Sequence, residues 1–320
     1  MLAYARELIA RLPGVAPDLN FTTFSGGDNF DIREQVAIPL HLRRSRPRLA
    51  HFVTPYAPLF PLVPYVVTIH DLIDVRFPQF AKPKARWYYR VVVRNIARGA
   101  RRVITDDERT AADLVAAYRL APEQIAVIPL GANIGTVEPM RRDAPYLIYV
   151  GNRRPHKDLA TLLRGWDHIA EERPVDLVLT GDADPALAAL AKNNEKASRL
   201  VFLGDVDHAS LMRWIAGARA LVHPSLCEGF GLPLLEAVRL ETPVVASDAS
   251  APQVLRPHVR TFPAGDAAEL VRVLEHVLDE RDRAGLVRAR ESTAYLTWDR
   301  CAEQTAAVYR AVLAGDSSGS

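Results

Sequence analysis

The segment His223-Pro-Ser-Leu-Cys-Glu-Gly-Phe-Gly-Leu-Pro-Leu-Leu-Glu-Ala237 changes character along its length. The run that ends at His223 is apolar and reads as a buried strand. From about Pro233 the pattern is helical, and proline suits the first position of a helix. Between the two, Gly229 and Gly231 allow a tight turn with bare amides. Exposed N–H groups at the start of such a helix form a ready site for a diphosphate. Two carboxylates flank the turn, Glu228 in the loop and Glu236 in the expected first helical turn. They are eight residues apart, so one can face a sugar while the other reaches deeper along the same ligand.

Outward from this segment the same unit recurs. Short apolar runs at 20–23, 50–53, 65–69, 102–105 and 125–128 read as strands, and a second series follows at 146–150, 176–180, 200–203, 220–223, 243–246 and 259–262. Amphipathic helical patterns lie between most of them, as at 159–169, 185–192 and 267–278. Alternation of this kind predicts an α/β protein with parallel sheets. The aperiodic stretch 131–145, rich in glycine, proline and arginine, reads as an interdomain linker. The expected division is a first Rossmann-like domain over 1–138 and a second over 139–297, each doubly wound and facing the other across a cleft.

Composition narrows the function. With 49% hydrophobic and 24% charged residues the chain is neither disordered nor membrane-embedded in character. A formal net charge of +2 gives no global reason to expect nucleic acid. Cys227 and Cys301 lack metal-ligand spacing, which fits a reducing, cytoplasmic setting. The first residues carry no secretory pattern, and the apolar stretch 57–69 is broken by Pro58, Pro61 and Pro64.

The segment 223–237 resembles the Glu-x7-Glu signature of retaining GT-B glycosyltransferases, specifically glycosyltransferase family 4. Other segments match that family in order: Thr68-Ile-His-Asp-Leu72, Val127-Ile-Pro-Leu-Gly131, Val150-Gly-Asn-Arg-Arg-Pro-His-Lys157, Leu179-Thr-Gly-Asp182 and Phe202-Leu-Gly-Asp205. Thr297-Trp298 opens what looks like the family's C-terminal helix, here 298–314, which crosses back to the first domain.

The resemblance implies transfer of a hexose, of the mannose type, from a nucleoside-diphosphate sugar to a glycan or lipid-linked acceptor, with GDP-mannose or a UDP-sugar as donor. Glu228 would bond the hydroxyls of the donor sugar, and His70 would lie beside that sugar. Glu236 would hold the ribose. Arg153 and Lys157 would neutralise the diphosphate, whose charge grows as the glycosidic bond breaks. The amides of Phe230, Gly231 and Leu232 would contact phosphate or sugar, and the loop with Gly204 and Val206 would meet the base. No metal or other cofactor is expected, because the cations serve in its place.

Arg86, Arg90, Arg94 and Arg98 recur every fourth residue and predict one basic helical stripe. A solvated arginine face is the plainer interpretation. Contact with anionic lipid heads at the inner membrane face, or with a lipid-diphosphate acceptor, is the functional one.

Three departures from the family pattern stand out. The first strand and glycine-rich loop usual at its start have no counterpart before the helical stretch 2–12. Glu241 stands where glycine is common, and Asp107 where serine is common. The first departure motivates a rival, a catalytically inactive GT-B-like binding protein arising by N-terminal truncation. A glycosidase would also use two carboxylates, but it needs neither the basic pair nor the glycine turn.

Overall fold

The computed structural model describes residues 2–24, 33–185, 187, 198–280 and 282–317. The chain forms two compact units, one of Met1–Gly131 with Leu296–Ser320, the other of Ala132–Tyr295. Each is built on a parallel sheet.

In the first unit the sheet contains β1 (Ala50–Phe52), β2 (Tyr65–Thr68), β3 (Arg102–Thr105) and β4 (Ile125–Val127), in that order. Val66, Val67, Val103 and Ile104 are fully buried, as expected for central parallel strands covered on both faces. Helix Leu2–Val15 packs against helix Trp298–Ser317, which closes this unit. The two ends are also tied through charge, since the Arg310 guanidinium donates from Nε and Nη2 to both oxygens of Asp18, at 3.0 and 2.5 Å. Gly131 lies where the chain returns: a Cβ there would meet the Thr297 carbonyl carbon at 2.1 Å, so only glycine fits.

The segment 20–23, expected as a strand, is not one. Its backbone joins no ladder, and the Phe21 ring lies 6.4 Å from that of Tyr309. A short run commits to a strand only when a sheet edge is offered to it; this one finds its apolar partner on a helix.

In the second unit six strands run in the order β10-β9-β8-β5-β6-β7, all parallel. They are β5 (Tyr146–Tyr149), β6 (Asp176–Leu179), β7 (Leu200–Phe202), β8 (Ala220–His223), β9 (Val244–Ser247) and β10 (Arg260–Phe262). The chain begins in the middle of the sheet, winds to one edge, then returns past β5 to build the other half. Trp166, on helix Leu159–Glu172, anchors the core and donates its indole N–H to the Val175 carbonyl at 2.9 Å. Aspartates start the helices: Asp107, Asp158, Asp207, Asp266 and Asp282 each accept from an amide of the first turn. Asp107 thus does the capping that a serine would do. The helix expected at 185–192 lies largely outside the described residues, as does part of the tail 315–320.

Candidate active site

The strand order of the second unit reverses between β5 and β8. Loops leaving the carboxyl ends of two such strands part in opposite directions and leave a crevice between them, where ligands of open α/β sheets bind. The loop after β5 carries Arg153 and Lys157; the loop after β8 carries Glu228. An amide of one reaches the other, since Leu226 N donates to the His156 carbonyl at 2.8 Å.

Lys157 closes the short 3-10 turn Pro155–Lys157 and is almost fully buried. Its Nζ donates to Oε1 of Glu228. The same oxygen receives Ser225 Oγ at 2.8 Å and lies 2.7 Å from His223 Nε2. Burial opposes the charge on Glu228, but the His223 ring, and then Lys157, outweigh it and hold the carboxyl well below the ordinary carboxylate range. Glu228 is therefore a fixed anion and hydrogen-bond acceptor, not an acid. The cluster is braced from beneath: Ser247 Oγ donates to the Ser225 carbonyl, and Ser250 Oγ to that of His223 at 3.2 Å.

Arg153 leans the other way. Its guanidinium stacks 5.2 Å above the Phe202 ring, lies 3.5 Å from Asp184 Oδ2 and donates to the carbonyls of Thr180 (3.4 Å) and Asp182. The two cations of one loop are thus divided, Lys157 toward β8 and Arg153 toward β6 and β7.

Gly231 caps helix Leu232–Arg239 in the left-handed conformation, φ 71°, which a side chain would strain. Phe230 is buried and anchors the turn. Among the described residues, the amides of Phe230, Gly231 and Leu232 have no hydrogen-bond partner. The helix starts one residue before Pro233, so Glu236 falls just beyond the first turn and not within it. Burial pushes its carboxyl up to about 7, and the exposed His208 ring, 3.9 Å away, does not offset this. Gly204 and Val206 lie in the loop before helix His208–Gly217. Gly204 exchanges both backbone bonds with Gly181, so its own amide is already engaged.

In the first unit, His70 follows β2 and Asp106 follows the neighbouring β3. His70 Nδ1 is 2.5 Å from Asp106 Oδ2, and the Tyr4 ring meets the imidazole edge-on at 4.9 Å. The arginine segment is not a single α-helix. A π-helical stretch, Tyr89–Val93, separates helices Pro83–Tyr88 and Arg94–Gly99. Arg86, Arg90 and Arg98 remain exposed, Arg94 is half-buried, and Trp87 (60%) and Val91 (41%) face solvent among them. Tyr89, Val92 and Val93 are all buried within this stretch.

His223, Ser225 and Asp106 belong to these clusters and were not singled out by sequence. A five-residue spacing through the loop after β8 matches no helical or strand period, so the contact of His223 with Glu228 leaves no local signal. Among the described residues no group of three or more His, Cys, Asp or Glu is arranged to hold a metal ion, and no helix is long and apolar enough to cross a membrane.

Comparison with known proteins decides the family. Residues 4–136 match "Glycosyltransferase Family 4" and residues 144–280 match "Glycosyl transferases group 1". The chain belongs to glycosyltransferase family 4. A relative from Mycolicibacterium hassiacum, an MMP alpha-(1->4)-mannosyltransferase, is 30% identical over 277 residues, 78% of this chain and 66% of that protein. This chain therefore spans just under two thirds of that relative's length. Sucrose-phosphate synthase from Thermosynechococcus elongatus superposes with a TM-score of 0.76 at 24% identity, covering 88% of this chain and 77% of that one. Anabaena HepE in complex with UDP and glucose superposes with a TM-score of 0.73 at 17% identity, covering 91% and 86%. These likenesses make the fold of this family member GT-B.

Proposed function

We propose that this family 4 chain is a retaining hexosyltransferase that moves a mannose-type sugar from a nucleoside diphosphate to a glycan or lipid-linked acceptor. The observation that carries the proposal is the Lys157–Glu228 pair at the strand-order reversal, set beside a glycine-capped helix start whose amides are unengaged. A cation and bare amides suit a diphosphate; a fixed carboxylate suits sugar hydroxyls.

In this mechanism the bond between the anomeric carbon and the phosphate oxygen breaks first. Charge grows on the leaving diphosphate, and Lys157, Arg153 and the amides of Phe230, Gly231 and Leu232 stabilise it more than the ground state. Glu228 bonds the hydroxyls of the oxocarbenium-like sugar, and Glu236 takes the ribose. The acceptor hydroxyl attacks the face that the phosphate leaves, its proton passing to the departing phosphate oxygen. His70 orients a hydroxyl of the reacting sugars. The cations supply the charge that a metal would otherwise bring. A mannose donor is favoured by the mannosyltransferase relative; the UDP held by HepE keeps a UDP-sugar as the competing choice.

The test is sugar transfer and donor hydrolysis by Glu228→Ala and Lys157→Ala, with calorimetric titration of GDP-mannose and UDP-sugars. Loss of about a hundredfold or more in transfer is expected for each variant. Full activity in both would remove these assignments. Peripheral docking on an anionic membrane through Arg86, Arg90, Arg94 and Arg98 is supported by the exposed Trp87 and Val91 among them. Cosedimentation with phosphatidylglycerol vesicles, lost on substituting the exposed arginines, checks it.

A further inference from the structure

We propose that Asp106 is a positioning residue for His70: it holds one imidazole nitrogen so that the other is offered to a sugar hydroxyl as an acceptor. The inference rests on the assignment of His70 to the reacting sugars made above.

The sheet dictates the meeting. Thr68 pairs with Ile104 in the parallel register of β2 and β3, and Ile69 N continues the ladder to the Ile104 carbonyl at 2.9 Å. Two residues beyond that pair on each strand stand His70 and Asp106, at the carboxyl ends where ligands of α/β sheets bind. His70 Nδ1 lies 2.5 Å from Asp106 Oδ2, and the Asp106 side chain is almost wholly buried. A carboxylate only accepts, so Nδ1 carries a proton, and in the neutral imidazole Nε2 then keeps its lone pair.

The rest of the ring is fixed as well. Tyr4 meets it edge-on, and Thr110 Oγ1 lies 3.5 Å from the His70 carbonyl. Tyr4 is itself held at Thr68 Oγ1 (3.1 Å), which also contacts His51. The ionisable groups around the pair are Tyr4 from the first helix, His51 from β1 and Cys301 from the last helix. Among the described residues, none of these three hydrogen-bonds the imidazole, whose partner is Asp106.

One atom turns this arrangement from a packing detail into an offer. Nε2 is buried, and among the described residues it has no hydrogen-bond partner. Buried polar nitrogens are nearly always satisfied within a protein that uses them only for structure. A ligand hydroxyl donating to Nε2 completes the set, with the tautomer chosen in advance by Asp106.

The experiment uses the full chain and compares His70→Ala, Asp106→Asn and Asp106→Glu with wild type. Long-range ¹H–¹⁵N spectra read the His70 tautomer, and transfer assays with GDP-mannose and UDP-sugars read kcat and KM. Wild type is expected to show Nδ1–H with an unprotonated Nε2. Asp106→Asn is expected to lose that single tautomer and about ten- to a hundredfold in kcat, the scale known for partners that orient a histidine. The donor KM should stay within about twofold, and Asp106→Glu should recover part of the rate. A wild-type spectrum with the proton on Nε2 overturns the proposal, whatever the variants do. So does a fully active Asp106→Asn beside an inactive His70→Ala. A fully active His70→Ala instead removes the assignment of His70, and the spectrum alone then decides whether Asp106 sets its tautomer.

Discussion

His223 ends β8 and Glu228 lies in the loop that follows it, and their side chains meet, Nε2 to Oε1 at 2.7 Å. His223 is 2% exposed and its ring stacks over Tyr149, with centroids 6.4 Å apart. The imidazole thus acts as a rigid stop that sets where the Glu228 carboxylate can point.

Replacing that stop should disturb both stability and function. His223→Ala leaves a buried carboxylate short of a partner, a loss of about 1–3 kcal/mol. It should also lower kcat/KM by about tenfold or more, since Glu228 is no longer held in place. Denaturant unfolding and steady-state kinetics check the two effects, and wild-type kinetics in a destabilised His223→Ala would remove the positioning role.

Glu236 makes the chain less stable at neutral pH than in mild acid. Burial raises its carboxyl from 4.5 to about 7. Between these values the native state holds the proton that the unfolded chain has released, so stability falls as pH rises from about 4.5 to about 7. The shift corresponds to roughly 3 kcal/mol in total. Glu236→Gln should abolish this slope, leaving a chain more stable than wild type at pH 8 and similar to it at pH 4. Thermal unfolding of both across that range is the measurement.

His51 works in the opposite direction. Burial, and to a lesser degree His70, lower its imidazole to about 3. The ring bridges Tyr309 OH at 2.6 Å and Thr68 Oγ1 at 2.8 Å. The unfolded chain takes up a proton from about pH 6.5 downward while the folded one refuses it, so stability falls as pH drops from about 6.5 toward 3. His51→Gln should flatten this acid limb at the cost of about 1 kcal/mol or more near neutrality, from the altered bonds. An unchanged acid limb in that variant would show that other groups govern it.

Glu241 occupies the left-handed region at φ 55°, just past helix Leu232–Arg239, where a side chain is strained and glycine is not. Its carboxylate pairs with Arg290 at 2.5 Å, which compensates. Glu241→Ala loses the pair and keeps the strain; Glu241→Gly loses both. The glycine variant should therefore be the more stable of the two by about 1 kcal/mol, read from urea midpoints at constant m-value.

The strands of both sheets were legible because parallel strands covered on two faces are apolar throughout, as in Leu147-Ile148, Leu221-Val222 and Val244-Val245. The glycine turn and Pro233 announced the helix start for equally local reasons. The run 20–23 was misread because its apolar content says nothing of what it will meet, and Phe21 meets Tyr309. The arginine stripe departs from a single regular helix because a π-helical stretch, Tyr89–Val93, interrupts it, and four-residue spacing alone carries no sign of such a break.

The amino-acid order by itself fixed the alternation of strand and helix, the aspartate caps, and the presence of a cation at 157 and a carboxylate at 228. These depend on backbone preference and hydrophobic period, which act over a few residues. Folding decided that Lys157 and Glu228, 71 positions apart, share a buried oxygen, that His223 and Ser225 complete their cluster, and that Asp106 grips His70. Such contacts follow from strand order and register, and these are set by how whole surfaces pack, which no short window of sequence contains.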